Sequence, residues 1–144
     1  MAVRVALVMH LPLGAAFKEC AAHVLGEIPD LPVFDIAPDA DPEREAAGLL
    51  RWLRAGDPVE PVLLLSDLYG ATPFNIATQA RQQALQEGRV VHLLTGTNAC
   101  MVLKALTDQP ANSECLSTRV LQGALRGIVD AEPFPDVDAK PSPD

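Results

Sequence analysis

Basic side chains are scarce in this sequence of 144 residues: 11 lysines and arginines face 19 acidic residues, which leaves a formal net charge of -8. A nucleic-acid binder needs a basic patch to neutralise phosphates, and so does a protein that docks on anionic lipid. The charge balance therefore disfavours both kinds of partner. The length fits one domain of ordinary size.

Cysteine is also scarce. The chain has three cysteines, Cys20, Cys100 and Cys115, and no two of them form a C-x-x-C pair. An odd number without metal-ligand spacing argues against a disulfide framework and against a zinc site. We therefore expect each cysteine to be a small buried hydrophobe in a reducing compartment.

Long apolar runs are missing, and none approaches the roughly 20 residues that a membrane-spanning helix requires. The N-terminal stretch from Val3 to Leu13 is apolar, but Arg4 and His10 interrupt it and no small-residue cleavage site follows. We therefore predict no signal peptide, no direct insertion into a membrane and a cytoplasmic location.

Nucleotide-binding motifs are absent as well. Neither G-x-G-x-x-G nor the P-loop pattern occurs, so we predict no dinucleotide or ATP site and no cofactor. The histidines His10, His23 and His92 show no i, i+4 ligand spacing, so no metal site is predicted. His23, in a predicted helix, and His92, in a predicted strand, are interpreted as structural.

What the sequence does contain is an alternation of short apolar runs with amphipathic segments. This alternation predicts an α/β fold, a three-layer sandwich around a mainly parallel four-stranded sheet of order 2-1-3-4, with helices on both faces. The predicted strands are 3–9, 31–36, 62–65 and 89–94, and the predicted helices are 15–25, 42–56, 72–88, 99–107 and 112–129.

The C-terminal stretch differs in composition. From residue 131 to residue 144 prolines alternate with acids and no apolar periodicity remains. Such a segment buries too little apolar surface to offset its ordering entropy. We therefore predict one domain over residues 1–130 and a disordered, Pro-rich acidic tail over 131–144 that is dispensable for stability.

The most informative stretch joins the third strand to the third helix. The apolar strand ends near Asp67, a turn containing Gly70 and Ala71 follows, and Thr72-Pro73 is typical of a helix start. We expect Thr72 to be the N-cap and Pro73 the first helical residue. The free N–H groups of such a helix end favour phosphate, so Gly70, Ala71 and Thr72 are the predicted phosphate-binding residues.

His10 ends the first predicted strand, as Asp67 ends the third. In a flavodoxin-like strand order these strands flank the switch point at which ligands bind. A histidine that receives a phosphoryl group needs a carboxylate on its second ring nitrogen, which sets the tautomer and stabilises positive charge. His10 and Asp67 are thus the predicted catalytic pair. From spacing alone, two other interpretations are equally good: His10 is an ordinary loop histidine, and Asp67 is an acid that caps a turn.

The residues from Asp67 to Asn75 resemble the signature of the mannose/fructose-type IIA components of the bacterial sugar phosphotransferase system. In that signature an aspartate and an aromatic residue precede glycine, a small residue, Ser/Thr-Pro and an asparagine. The spacing from His10 and the turn from Gly96 to Met101 are similar too. The resemblance covers roughly residues 3–128. The chain departs from many members at Met9, Leu11 and Cys100.

This resemblance implies a phosphotransferase that works through a phosphohistidine. It implies that the phosphocarrier HPr phosphorylates His10, that Asp67 orients the ring, and that a IIB component or a regulatory target is the next partner. It also implies a homodimer, with an edge strand exchanged between subunits in known members. No IIB-like sequence follows the tail, so we expect a stand-alone regulatory or sugar-transport subunit. The alternative is a non-catalytic anion-binding module on the same fold.

Overall fold

The computed structural model describes residues 2–109 and 112–132, and in these residues it shows four parallel strands and five helices. Strands and helices alternate through the first eight elements, and the ninth element is a helix. The strands are β1 (Arg4–His10), β2 (Val33–Ile36), β3 (Val62–Ser66) and β4 (Val91–Leu94). The helices are α1 (Leu13–Leu25), α2 (Pro42–Ala55), α3 (Thr72–Gln86), α4 (Ala99–Thr107) and α5 (Ser113–Gly127).

The strands pair in the order β2-β1-β3-β4, which confirms the predicted sheet. His10 lies opposite Ile36 of β2, and Val8 lies opposite Ser66 of β3. All pairs are parallel, so the carboxyl ends of all four strands meet at one edge of a flavodoxin-like sheet. The helices α1 to α4 begin at this edge.

The sheet is buried on both faces, which explains why β1 and β3 are nearly continuous apolar runs. Ala6 and Val8 of β1 belong to the cluster shared with α2 and α3. Leu7 and Met9 belong to the cluster shared with α1, α4 and α5. Each fully buried valine, leucine or methionine side chain contributes about 1.5–3 kcal/mol. The predicted three-layer sandwich is confirmed.

Several helix ends follow the predicted chemistry. Asp41 caps α2 by accepting a hydrogen bond from the Glu43 N–H at 3.1 Å, and Pro42 follows it. Asn112 caps α5 through the Cys115 N–H at 2.8 Å. These ends are encoded locally because donor and acceptor lie within three residues of each other.

The predicted N-cap of α3 is wrong by one residue. Ala71 is the extended residue before the helix, Thr72 is the first helical residue, and no side chain caps this end. Gly70 adopts a left-handed φ of 79°, which completes the turn one residue earlier than the Thr-Pro pattern indicates. Pro73 then takes the second position, where its missing N–H is still one that no helical partner would bind.

The prediction that the cysteines are buried is wrong, since all three are exposed. Each lies on a helix, directly before a residue whose side chain takes the core-facing position. Adjacent helical residues point about 100° apart, so the cysteine turns toward solvent. The buried neighbours are Ala21, Met101 and Leu116.

Other differences concern the ends of elements. β2 and β4 begin two residues later than predicted, and α1 begins two residues earlier. The predicted tail lies outside the described residues from position 133 onward. Within the part of the chain that is described, no helix is both long enough and apolar enough to cross a membrane.

Candidate active site

His10 and Asp67 meet at the carboxyl edge of the sheet. The Nδ1 atom of His10 lies 2.7 Å from the Oδ2 atom of Asp67, and the His10 backbone N–H donates to the same oxygen at 2.9 Å. The second carboxylate oxygen accepts from the Leu68 N–H at 2.9 Å. The carboxylate is therefore held by three donors, two of which belong to the histidine.

The surroundings of Asp67 determine its charge. Burial, which leaves its side chain 6% exposed, raises the pKa of Asp67. The hydrogen bonds from the His10 backbone and ring and from Leu68 outweigh this effect and hold the pKa below its ordinary value. At neutral pH the carboxylate thus only accepts hydrogen bonds, so the proton of a neutral His10 ring lies on Nδ1.

The other ring nitrogen of His10 is free for chemistry. Its side chain is 46% exposed, and Nε2 makes no hydrogen bond with any residue that the structure describes. With the proton on Nδ1, Nε2 carries a lone pair that can act as a nucleophile or bind a proton. The arrangement therefore suits attack by Nε2 while Asp67 stabilises charge on the ring.

The start of α3 offers free donors. The N–H groups of Thr72 and Phe74 make no hydrogen bond within the described residues, and Pro73 has none to offer. Ala71, also predicted to bind phosphate, donates its N–H to the Leu68 carbonyl at 3.3 Å, a long bond. Gly70 supplies the turn conformation through its left-handed φ of 79°, which glycine adopts without strain.

The helix ends at this edge are not equivalent. The amides at the starts of α1, α2 and α4 donate to the side chains of Asp35, Asp41 and Asn98, respectively. The start of α3 has no side-chain cap. Among these four helices, α3 alone has no side-chain acceptor on its first amides, which favours an anion at this end. The structure shows no bond between Thr72 and either His10 or Asp67.

The connection after β4 holds the backbone of the acid. The Gly96 N–H donates to the Asp67 carbonyl at 3.0 Å, and the Thr97 hydroxyl donates to the Ser66 carbonyl at 2.6 Å. Sequence reasoning did not assign a role to Thr97. Its position in the turn between Gly96 and Asn98 was the available signal.

A second residue missed by sequence reasoning is Asp35, near the end of β2. Its carboxylate accepts from the Gly14 N–H at 2.8 Å and from the Ala15 N–H at 3.0 Å. It lies beside Met9 in the register of the sheet. An acid within an otherwise apolar strand was the signal that could have identified it.

The surface around His10 is apolar and lacks cations. The connections 11–12, 37–41, 67–71 and 95–98 contain no lysine or arginine. Leu11, Leu68 and Tyr69 are exposed there, and the Tyr69 ring packs on Phe74 with centroids 5.0 Å apart. An anion at this edge would therefore be held by neutral donors, and a macromolecule would meet an apolar surface.

The remaining histidines lie apart from this pair in the elements predicted for them. His23 is exposed on α1, and His92 is half-buried in β4, where burial lowers its pKa. Among the described residues, no group of three or more histidines, cysteines or acids is placed to hold a metal ion. Of the three histidines, His10 is the one that ends a strand at the carboxyl edge of the sheet.

Fold and site together define a class: a doubly wound α/β protein that presents a carboxylate-bound histidine beside an uncapped helix end. A protein-family model described as "PTS system fructose IIA component" matches residues 4–118. The chain belongs to this family of phosphotransferase-system IIA components.

Solved structures share the fold. The mannose/sorbose-specific IIA subunit of the phosphotransferase system from Enterococcus faecalis superposes with a TM-score of 0.82 at 21% identity, over 95% of this chain and 99% of that one. The phosphotransferase system component EIIA from Streptococcus agalactiae gives a TM-score of 0.78 at 19% identity, over 89% and 96%. At these identities the likeness concerns the fold.

A further likeness is local. A stretch of 54 residues, 38% of this chain, is 48% identical to part of the glycogen synthase of Ralstonia nicotianae. The matched part is 10% of that protein, so the chain spans only a small share of its length.

Proposed function

We propose that this IIA component is a phosphohistidine carrier, which accepts a phosphoryl group on Nε2 of His10 from phosphorylated HPr. The observation that supports this proposal most directly is the 2.7 Å contact between His10 Nδ1 and Asp67 Oδ2, which leaves Nε2 free. The carrier then passes the group to a IIB component, or acts as a cytoplasmic regulatory subunit whose state of phosphorylation is read by a target.

In the proposed step, the Nε2 lone pair of His10 attacks the phosphorus atom on the donor histidine. The new N–P bond forms as the donor's N–P bond breaks, and that electron pair returns to the donor's ring. The Nδ1 proton of His10 stays in place, and the Asp67 carboxylate stabilises the positive charge that develops on the ring. In a second transfer, a nucleophile of the next acceptor attacks the phosphorus atom, the His10 N–P bond breaks, and its electron pair returns to Nε2.

Thr72 and the open end of α3 are proposed to bind the phosphoryl oxygens. The Thr72 hydroxyl and the free N–H groups of Thr72 and Phe74 are the donors that the helix end offers, together with its positive dipole. Gly70 and Ala71 shape the turn that leads to this end. Use of the Ala71 N–H would require its 3.3 Å bond to Leu68 to be given up.

The absence of cations supports a protein donor. A small phosphorylated metabolite carries several negative charges, and the connections around His10 offer no lysine or arginine to bind it. The exposed side chains of Leu11, Leu68 and Tyr69 instead suit the apolar centre of a protein–protein contact. Such a contact would bring the donor's phosphohistidine to Nε2 without a cationic site for free phosphate compounds.

We further propose that the protein works as a homodimer. In the described residues, β4 pairs with β3 on one side only, which leaves a strand edge open for another chain. Leu125, Ile128 and Val129, at the end of α5 and just beyond it, are exposed apolar residues that a partner would cover. Light scattering should give about twice the 15.3 kDa chain mass. A single-chain mass at micromolar concentration would contradict the dimer.

The test of the carrier is phosphoryl transfer from radiolabelled HPr. Wild-type protein should gain an acid-labile label, and His10→Ala should gain none, because the proposed nucleophile is the Nε2 atom of His10. His23→Ala is the matched control, since His23 is also exposed and lies near in sequence but has no part in the site. It should label like the wild type.

The same experiments distinguish the phosphohistidine carrier from the non-catalytic anion-binding module. Undiminished labelling of a folded His10→Ala protein would refute the carrier. Saturable binding of inorganic phosphate by wild-type protein that HPr never labels would favour the non-catalytic anion-binding module.

A further inference from the structure

The loop that follows His10 is held by the neighbouring strand. The Leu11 N–H donates to the last carbonyl of β2 at 3.1 Å. Asp35, also of β2, accepts from the N–H groups of Gly14 and Ala15 at 2.8 and 3.0 Å. β2 thus forms hydrogen bonds with the chain on both sides of the bend that joins His10 to α1.

α1 has no cap of its own. Pro12 occupies the N-cap position without a side-chain hydrogen bond, and the first turn contains no acid. Asp35 supplies both bonds from 20 and 21 positions further along the chain. A carboxylate at this end is favourable because the helix dipole is positive there. The start of α1 is therefore positioned by β2 rather than by its own sequence.

The approach of Asp35 to α1 depends on a glycine. Gly14 is buried, and a Cβ at this position would clash with the Asp35 Oδ1 atom and with the Val33 side chain. Any larger residue would push the carboxylate off the helix end. Gly14 and Asp35 therefore act as one unit.

We propose that Asp35 is a positioning residue for His10, an inference that rests on the proposed phosphoryl transfer. Its carboxylate fixes the bend from Leu11 to Gly14, so that the ring keeps Nδ1 on Asp67 and leaves Nε2 toward the donor. The Asp35 carboxylate also accepts hydrogen bonds from the first amides of α1. The N–H groups at the start of α3 have no such acceptor and remain available to the phosphoryl group.

The first test measures phosphorylation by HPr in Asp35→Ala and Asp35→Asn. Asp35→Ala should lower the maximal rate about 10- to 100-fold through misplacement of the ring, with a much smaller change in the KM for HPr, because Leu68 and Tyr69 of the docking surface lie on a different connection. Asp35→Asn keeps one acceptor oxygen and should lose less. If Asp35→Ala does not fold, the rate of Asp35→Asn provides the test. The matched control is Asp41→Ala, which likewise removes a carboxylate cap, that of α2, and should keep the wild-type rate.

The second test needs no phosphoryl donor. Nitrogen-15 NMR of the His10 ring should show the Nδ1–H tautomer in wild-type protein and in Asp41→Ala, and a mixture of tautomers in Asp35→Ala. A merely structural role for Asp35 would lower the melting temperature without changing the tautomer. Because this readout is independent of HPr, it tests the positioning even if the chain accepts no phosphoryl group.

The third test is a double-mutant cycle. Gly14→Ala should reproduce the rate loss of Asp35→Ala, and the double variant should be no slower than either single variant, because both changes remove the same contact. Additive losses would overturn the pairing. A wild-type rate and a wild-type tautomer in Asp35→Ala, or an equal loss in Asp41→Ala, would overturn the positioning role.

Discussion

The two ends of β1 each carry a nitrogen-containing side chain, and the two side chains differ in how many of their polar atoms are bound. At the amino end, Arg4 lies 3.2 Å from Glu60, stacks 3.9 Å over the Trp52 ring and donates to the Trp52 carbonyl at 2.9 Å. At the carboxyl end, His10 uses one ring nitrogen on Asp67 and leaves the other free. The side chain of Arg4 is 19% exposed and that of His10 46%.

This difference indicates that Arg4 has a structural role and that His10 is available for chemistry. Burial and partners on several sides leave Arg4 little capacity for a ligand, so it stabilises the packing of α2 against the sheet. His10 is held firmly on one side and open on the other, which is the condition for a nucleophile: an oriented ring with an available lone pair. Substitutions at the two ends should therefore have effects of different kinds.

The largest effect is expected at the partner of His10. Asp67→Asn should slow labelling by HPr about 10²- to 10⁴-fold, because an amide cannot stabilise positive charge on the ring and its NH₂ group can select the wrong tautomer. Initial rates at one pH provide the measurement. Asp39→Asn, an exposed acid in the connection before α2, is the control. A rate within twofold of wild type would mean that Asp67 does not assist the transfer.

Arg4 should show the reverse pattern. Arg4→Met keeps an apolar side chain of similar length but leaves Glu60 unpaired and the carbonyls without their donor. We expect a loss of about 1–3 kcal/mol in the free energy of unfolding, with labelling unchanged. Urea denaturation measures the first quantity. The exposed Arg51→Met should change stability by less than about 0.5 kcal/mol. Impaired labelling of folded Arg4→Met protein would break the contrast between the two ends.

Thr72→Ala should have a smaller effect, and only on the rate. Loss of one hydroxyl donor of about 1 kcal/mol lowers labelling roughly tenfold, since the N–H groups of the helix end remain. Because Thr72 caps nothing in this structure, the free energy of unfolding should change by less than about 0.5 kcal/mol. Thr118→Ala on α5 is the matched control. A stability loss typical of a removed N-cap would show that the hydroxyl does cap α3.

The smallest effect concerns pH. The pKa of Asp67 is lowered in the folded protein from its ordinary value of 3.8, because hydrogen bonds to the charged form outweigh burial. The unfolded chain therefore binds a proton at higher pH than the native protein does. The stability that this carboxylate contributes is present above about pH 5 and is lost as the pH falls below about 4.

Unfolding free energies of wild type and Asp67→Asn, measured from neutral pH to the lowest pH at which both fold, provide the check. The difference between them should shrink toward the acid end of the series. A difference that is constant or grows with acidity would contradict the lowered pKa.

Much of the fold was predictable because its signals are local. Short apolar runs marked the strands, with prolines on both sides of the second, and Asp41-Pro42 marked the start of α2. The proximity of His10 and Asp67 could also be predicted, since neighbouring parallel strands end at one edge. The predictions that failed depended on geometry that a motif does not encode: the turn at Gly70 shifted the cap from Thr72 to Ala71.

The cysteines illustrate the same limit. Average burial of cysteine says nothing about which side of a helix a given cysteine occupies. On α4, Met101 took the core position and left its neighbour Cys100 on the surface. Helix phase is set by the packing of the whole segment, so a residue-type rule applied to one position fails.

The sequence by itself determined the succession of strands and helices along the chain and the residues at the carboxyl end of each strand, because periodicity and chain connectivity are properties of neighbouring positions. Only the tertiary structure decided that Asp67 binds both the ring and the backbone of His10, and that Asp35 holds the start of α1. These bonds join atoms 20 to 57 positions apart. They exist only where strand register and helix packing bring donor and acceptor within about 3 Å, a distance that no local pattern specifies.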